Sequence, residues 1–218
     1  MEKLIEGIAK FKTKGFQERK DLFRSLATGQ APEVLFITCS DSRIDPNLVT
    51  QTEPGDLFIV RNAGNIVPPH TMPGGGNTAS IEFAVQVLGV KDIVICGHTD
   101  CGAMKGAMNM DSVKSLPHVS NWLGHAAAAV ARCKARHGEL GNEHIMEMIQ
   151  ENVLLQMKHI ETHPSVAAKL ATHDVTLHGW VYDIEKGEVI CYDADSKGFI
   201  PVETWYDKVT DASKRKSG

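Results

Sequence analysis

Val34-Leu35-Phe36-Ile37-Thr38-Cys39-Ser40-Asp41-Ser42-Arg43 is an apolar, β-branched run that stops abruptly at polar residues, and Ile93-Val94-Ile95-Cys96-Gly97-His98-Thr99-Asp100-Cys101-Gly102 repeats the pattern further along. Such runs read as inner parallel strands that end in loops. In an open parallel sheet the carboxyl ends of neighbouring strands deliver their loops to one crevice, so Cys39, His98 and Cys101 can converge despite their separation in sequence. Two sulfurs and one imidazole make a three-ligand set for zinc. Structural zinc closes four positions with protein ligands, whereas catalytic zinc leaves one to water or substrate. What fills the fourth position is the open question.

The chain around these runs reads as α/β, a central, mostly parallel sheet with an antiparallel edge strand, flanked by helices and preceded by an N-terminal helical arm. Leu4, Ile5, Ile8 and Phe11 repeat at helical spacing, as do Phe16, Leu22, Phe23 and Leu26, with Gly15 dividing the two halves. This arm, 1–28, packs either on its own sheet or across another subunit. Asp45-Pro46 suits a helix start, with Asp as the cap and Pro at the first position. Leu57 to Val60 reads as a second strand, Val67 to Asn77 as a loop, and Ser80 to Leu88 as a buried helix ended by Gly89. From Met104 to Gln156 the chain is helix-rich, with Met146, Met148 and Met157 as core filler. Val175 to Tyr182 and Val189 to Asp193 flank a Glu185-Lys186-Gly187 turn and read as a hairpin. Residues 211–218 read as a flexible polar tail, and the whole of 1–218 as one domain.

Composition narrows the partners. A net charge of −4 with both signs interspersed marks neither a nucleic-acid surface nor an anionic-membrane partner. The first residues lack the apolar core of a signal peptide, and no run reaches the length of a membrane span, which points to a cytoplasmic protein. Five cysteines, an odd number, argue for reduced thiols over a disulfide framework. Cys96, Cys133 and Cys191 fall inside apolar or Ala-rich elements, whereas Cys39 and Cys101 sit at strand-to-loop boundaries.

Asp41 and Arg43 stand two apart just beyond Cys39. Their plainest reading is a surface pair worth at most about 1 kcal/mol. Their functional reading is that Arg43 keeps Asp41 ionised beside the metal, where Asp41 accepts a hydrogen bond from bound water. Other chemistries fit less well: C-x-x-C redox spacing is absent, and C-x-x-x-R is too short for a cysteine phosphatase.

Cys39-Ser40-Asp41-Ser42-Arg43 together with Gly97-His98-Thr99-Asp100-Cys101-Gly102 resembles the β-class carbonic anhydrases. The resemblance extends over Arg61-Asn62-Ala63-Gly64-Asn65, Glu82-Phe83-Ala84-Val85 and His178-Gly179-Trp180-Val181-Tyr182-Asp183. It implies one zinc per chain on Cys39, His98 and Cys101, an Asp41–Arg43 catalytic dyad, and reversible hydration of carbon dioxide to bicarbonate by zinc-bound hydroxide. It also implies a homodimer or a dimer of dimers, with arms embracing and a pocket at the subunit interface. Phe83 falls where the family places an aromatic pocket wall, although a core Phe is an equal reading, and backbone at Gly102 is the candidate for holding substrate. Some bacterial members bind bicarbonate away from the metal through a Trp, an Arg and a Tyr, and close the site with the Asp. Here Phe36 stands at the Trp position beside Arg61 and Tyr182, so the open, water-bound form is expected near neutral pH. A His or Tyr proton relay is implied, with His70 and His163 among the choices.

Overall fold

The computed structural model describes residues 1–72 and 74–216, the last six as backbone only. Its centre is one six-stranded sheet: β1 (Val34–Cys39), β2 (Leu57–Asn62), β3 (Asp92–His98), β4 (Thr176–Asp183), β5 (Glu188–Asp193) and β6 (Gly198–Pro201). The order is β2-β1-β3-β4-β5-β6, parallel from β2 through β4 and antiparallel from β4 to β6. The expected antiparallel edge is therefore two strands wide. β6 is only four residues long, too short for its alternation to stand out in sequence.

The two central parallel strands, β1 and β3, are buried on both faces. From β1 and β3, Leu35, Ile37, Cys39, Ile93 and Ile95 face the main core, while Phe36, Val94 and Cys96 join Ile44 on the opposite side. That opposite side is finished by partly buried Leu57, Ile59, Trp180 and Tyr182. Thr38, fully buried between strands, donates its hydroxyl to the Cys96 carbonyl at 2.9 Å, which satisfies a polar group that would otherwise be costly inside the core.

The helices are α1 (Glu2–Lys10), α2 (Lys20–Leu26), α3 (Pro46–Thr50), α4 (Gly76–Glu82), α5 (Gly102–Met108), α6 (Pro117–Leu123), α7 (Ala127–His137), α8 (Ile145–Ile160), α9 (Pro164–Ala171) and α10 (Val202–Lys216). Asp45 caps α3 as its sequence indicates, accepting from the Leu48 N–H at 3.3 Å. Met148 is fully buried, and Met146 and Met157 pack against the core as filler. No helix among the described residues is long and apolar enough to cross a membrane.

Several expectations need correction. Gly15 does not break the arm: helix continues from α1 through Phe11–Gly15 and Phe16–Glu18, and the chain turns at Arg19. The rings of Phe11, Phe16 and Phe23 cluster across that turn at centroid distances of 5.5 to 6.3 Å, and Arg19 pairs with Glu53 at 2.6 Å. The helix around Ser80 to Leu88 starts at Gly76 and is buried on one face only, with Ile81, Ala84 and Val85 inside and Val87 exposed. The segment 211–218 is helical as far as Lys216, because α10 runs on from β6; residues 217–218 lie outside the described part.

α8 packs on the sheet over two glycines. A methyl at Gly179 would come within 2.6 Å of the Met157 sulfur, and one at Gly97 within 3.0 Å of Ile149 and Val153, so glycine on β3 and β4 permits the approach. In the arm, by contrast, α1 buries nothing: Leu4, Ile5 and Ile8 are 60–68% exposed. Packing of this stripe on its own sheet does not occur.

Candidate metal centre

Register brings the predicted ligands together. Cys39 ends β1, His98 ends the adjacent parallel β3, and Cys101 is the residue from which α5 starts. All three are buried, and their ligand atoms lie within 4.8 Å of one another. Among the described residues no other His, Cys, Asp or Glu group has that geometry.

Each ligand is oriented by a hydrogen bond on its far side. His98 Nδ1 lies 2.8 Å from the Thr99 carbonyl, which can only accept, so Nδ1 carries the proton and Nε2 presents a lone pair. That buried Nε2 has no hydrogen-bond partner among the described residues. An orphaned nitrogen facing two sulfurs is the chemistry of a metal ligand rather than of a structural histidine. Cys39 Sγ accepts from the Gly64 N–H at 3.3 Å. The Cys39 thiol is drawn down to about 4, chiefly by a hydrogen bond from the Cys101 thiol, with the Gly64 amide adding to it against the cost of burial. Cys101 is pushed up by the same bond and by its own burial. Backbone amides of Ala103 and Met104, in the first turn of α5, nevertheless point at Cys101 and favour its thiolate. Metal binding deprotonates thiol ligands, and the donor set suits zinc among common ions.

Asp41 and Arg43 form the two-pronged pair their spacing suggests. Arg43 Nε donates to Asp41 Oδ1 at 2.9 Å and Nη2 to Oδ2 at 2.7 Å. These bonds hold the Asp41 carboxyl far below its usual range. Asp41 Oδ2 stands 3.8 Å from His98 Nε2. Arg43 has a second partner, Asp100, which also binds Lys105 of α5.

The comparisons with known proteins agree with this geometry. A family model described as carbonic anhydrase matches residues 34–189. The solved structure of the β-carbonic anhydrase CcaA is 45% identical and superposes with a TM-score of 0.90, covering 92% of this chain and 98% of that one. The chain belongs to the β-carbonic anhydrase family of enzymes. The carbonic anhydrase of Pseudomonas aeruginosa is 47% identical over 92% of this chain and 91% of its own. A tetrameric β-carbonic anhydrase of Sordaria macrospora is 30% identical with a TM-score of 0.74, covering 87% of this chain and 95% of that one.

The other residues singled out in sequence take different places in this β-carbonic anhydrase. Gly102 opens α5 beside Cys101, and a methyl there would meet nothing within 4 Å, so open space lies over that backbone. Phe83 is not a core residue: it is 42% exposed, with its ring 6.1 Å from that of Phe58. Arg61 is occupied by structure, for its guanidinium donates to the carbonyls of Cys39 at 3.0 Å, Asp41 at 2.7 Å and Ile44 at 2.9 Å. His163 Nε2 donates to the Pro68 carbonyl at 3.0 Å, and the His70 ring lies 5.7 Å from it.

The floor of the site was not foreseen. Gly64 adopts a positive φ of 79°, and a side chain there would collide with Ala103 and Met104, so only glycine lets this backbone reach Cys39. Its carbonyl accepts from Asn152 Nδ2 at 3.0 Å, Asn152 Oδ1 accepts from Gln156 at 2.8 Å, and Gln156 Oε1 accepts from the Val67 N–H at 2.9 Å. His159 Nδ1 donates to the Val67 carbonyl at 2.9 Å. Asn152, Gln156 and His159 lie at i, i+4 and i+7 of α8, a polar stripe on a face that is otherwise apolar. That spacing was the available signal.

Proposed function

We propose that this chain binds one zinc ion through Cys39, His98 and Cys101 and catalyses the reversible hydration of carbon dioxide to bicarbonate and a proton. The observation that carries the reading is the orphaned Nε2 of buried His98, facing two sulfurs and flanked by an ionised carboxylate. Zinc supplies the Lewis acidity that makes water a nucleophile near neutral pH.

The chain's own groups do the rest. Asp41 is an acceptor at a fixed place: its Oδ2 takes the hydrogen bond of the attacking water and so aims that oxygen's lone pair at carbon. Arg43 keeps Asp41 ionised and turned along the guanidinium edge, which would leave room for water beside the three residues that would hold zinc and so favour the open form. The backbone at Gly102 lies beside unfilled space and is the candidate to hold a substrate oxygen. Phe83, exposed against Phe58, would serve as the apolar wall of a pocket completed in a second subunit.

A homodimer, or a dimer of dimers as in the tetrameric Sordaria relative, is supported by the bare stripe on α1 and by the partly buried sheet face around Ile59 and Tyr182. The five free, buried cysteines fit a reducing, cytoplasmic setting, and 1–218 is proposed to fold as one domain.

Stopped-flow carbon dioxide hydration across pH, with metal analysis on the same sample, tests the reading. Asp41→Ala should keep one zinc and lose about 10²-fold or more in turnover. Cys101→Ser should lose the metal and the activity together, and full turnover in that metal-free protein would refute the scheme.

A further inference from the structure

At the rim of the site lies a chain of charges that the proposed mechanism uses only in part. Arg43 presents five N–H donors in a rigid plane, and four are taken. Nε and one proton of Nη2 go to Asp41. Nη1 donates to Asp100 Oδ2 at 2.9 Å, and Nη2 also reaches the Asp100 carbonyl at 3.2 Å. The other carboxylate oxygen of Asp100 accepts from Lys105, one turn into α5.

Asp100 is itself held in an uncommon conformation. It stands between His98 and Cys101 with a φ of 58°, in the left-handed region that non-glycine residues seldom adopt. The preceding residue is pinned to the sheet: the Thr99 N–H donates to the Tyr182 carbonyl at 2.9 Å, and Thr99 Oγ1 accepts from the Ile184 N–H at 3.0 Å. The loop that carries two ligands therefore also delivers a carboxylate to the outer edge of Arg43.

We infer that Asp100 and Lys105 are positioning residues for the hydration reaction: they clamp the outer edge of Arg43, and through it keep Asp41 off the face where the metal binds. The inference rests on the function proposed above. With both edges of its plane engaged, Arg43 cannot turn away without breaking two carboxylate contacts at once. With the outer edge released, Arg43 can swing to solvent, and Asp41 Oδ2, 3.8 Å from His98 Nε2, is free to turn toward the metal and compete with water for it. The clamp is not there for stability. The side chains of Asp100, Lys105 and Arg43 are 55%, 43% and 43% exposed, and pairs this open to water add little to folding.

Zinc-loaded wild type, Asp100→Asn, Lys105→Met, Asp41→Ala and the Asp41→Ala/Asp100→Asn double variant are compared for carbon dioxide hydration from about pH 6.5 to 9.5, with the cobalt-substituted forms followed by visible absorption. Asp100→Asn should lose about tenfold in kcat/KM at pH 7, with its rise displaced upward by about one pH unit and activity regained at the alkaline end. Lys105→Met should move the same way by less, and the metal content and Tm of both should match wild type. Asp100→Asn should alter the pH dependence of the cobalt spectrum, and the same substitution should leave that spectrum unchanged when Asp41 is already alanine. A loss equal at every pH, or a cobalt spectrum altered as much in the Asp41→Ala background, would overturn the clamp. A zinc-loaded wild type that does not hydrate carbon dioxide would sink the proposed function instead, and the cobalt comparison would still decide the clamp.

Discussion

The amide of Gly64 and the sulfur of Cys39 are 3.3 Å apart, joined across two neighbouring strands by a hydrogen bond into the metal cluster. The ligand sphere is thus tied to the loop that follows β2, and that loop to α8 beneath it. The consequences can be measured ligand by ligand and support by support.

The two exceptional cysteines should separate from the bystanders in a metal assay. Cys101→Ala removes a sulfur from the cluster, and bound metal should fall from one equivalent to near none. Cys133→Ala, at a buried position in α7 outside that ligand group, should keep its metal and lose only packing, about 1 kcal/mol in a denaturant titration. Metal loss from both would mean that the assay reports unfolding.

Arg61→Ala should uncouple the Cys39 loop from β2. Three carbonyls lose their donor, which costs about 1–2 kcal/mol in urea unfolding, and turnover should fall more than stability does because Cys39 and Asp41 both hang on that guanidinium. Arg61→Lys should recover little, since one ammonium cannot span three acceptors. A lysine variant indistinguishable from wild type would contradict this account.

The histidines behind the site predict a direction of pH dependence. Burial lowers His159 and His163 below the ordinary histidine value, so they stay neutral in the folded protein where the unfolded chain takes up protons. Their contribution is complete above about pH 6.5 and is lost as pH falls from there through the lowered folded values. Urea midpoints measured near pH 7.5 and 5.5, with metal content monitored, should therefore drop for wild type by more than for His159→Gln/His163→Asn. Equal drops would remove these residues from the explanation.

Leu4→Asp/Ile8→Asp should shift the protein to a smaller species in light scattering while leaving its circular dichroism spectrum in place, because neither side chain touches the chain's own core. An unchanged mass would show that the arm is not what joins the copies.

Much of this was legible from the sequence because it is written in abrupt changes. The apolar runs before Cys39 and His98 stop at polar residues, and a strand that stops there hands its last side chain to the crevice. Asp45-Pro46 and Gly89 mark helix ends through local backbone chemistry, and both stand where expected. What stayed hidden depends on distant neighbours. Gly15 carries no signal that three phenylalanine rings will hold a helix together across it. Arg61 looks like a free charge until the three carbonyls around it are placed, and Asp100 looks like a loop residue until Arg43 arrives from the loop after β1. Phe83 reads equally as core or pocket because an apolar ring carries no mark of whether its own chain covers it, and here it does so only in part.

The close seat of α8 has one more consequence. Gly97 and Gly179 lack the methyl groups that would lift this helix away, and the helix brings the amide and imidazole groups that pin the Gly64 loop. The stiffness of the ligand cradle is thus set where α8 meets the sheet, by two absent carbon atoms. Evolution can tune that stiffness there, in small steps, without altering any group that meets the substrate.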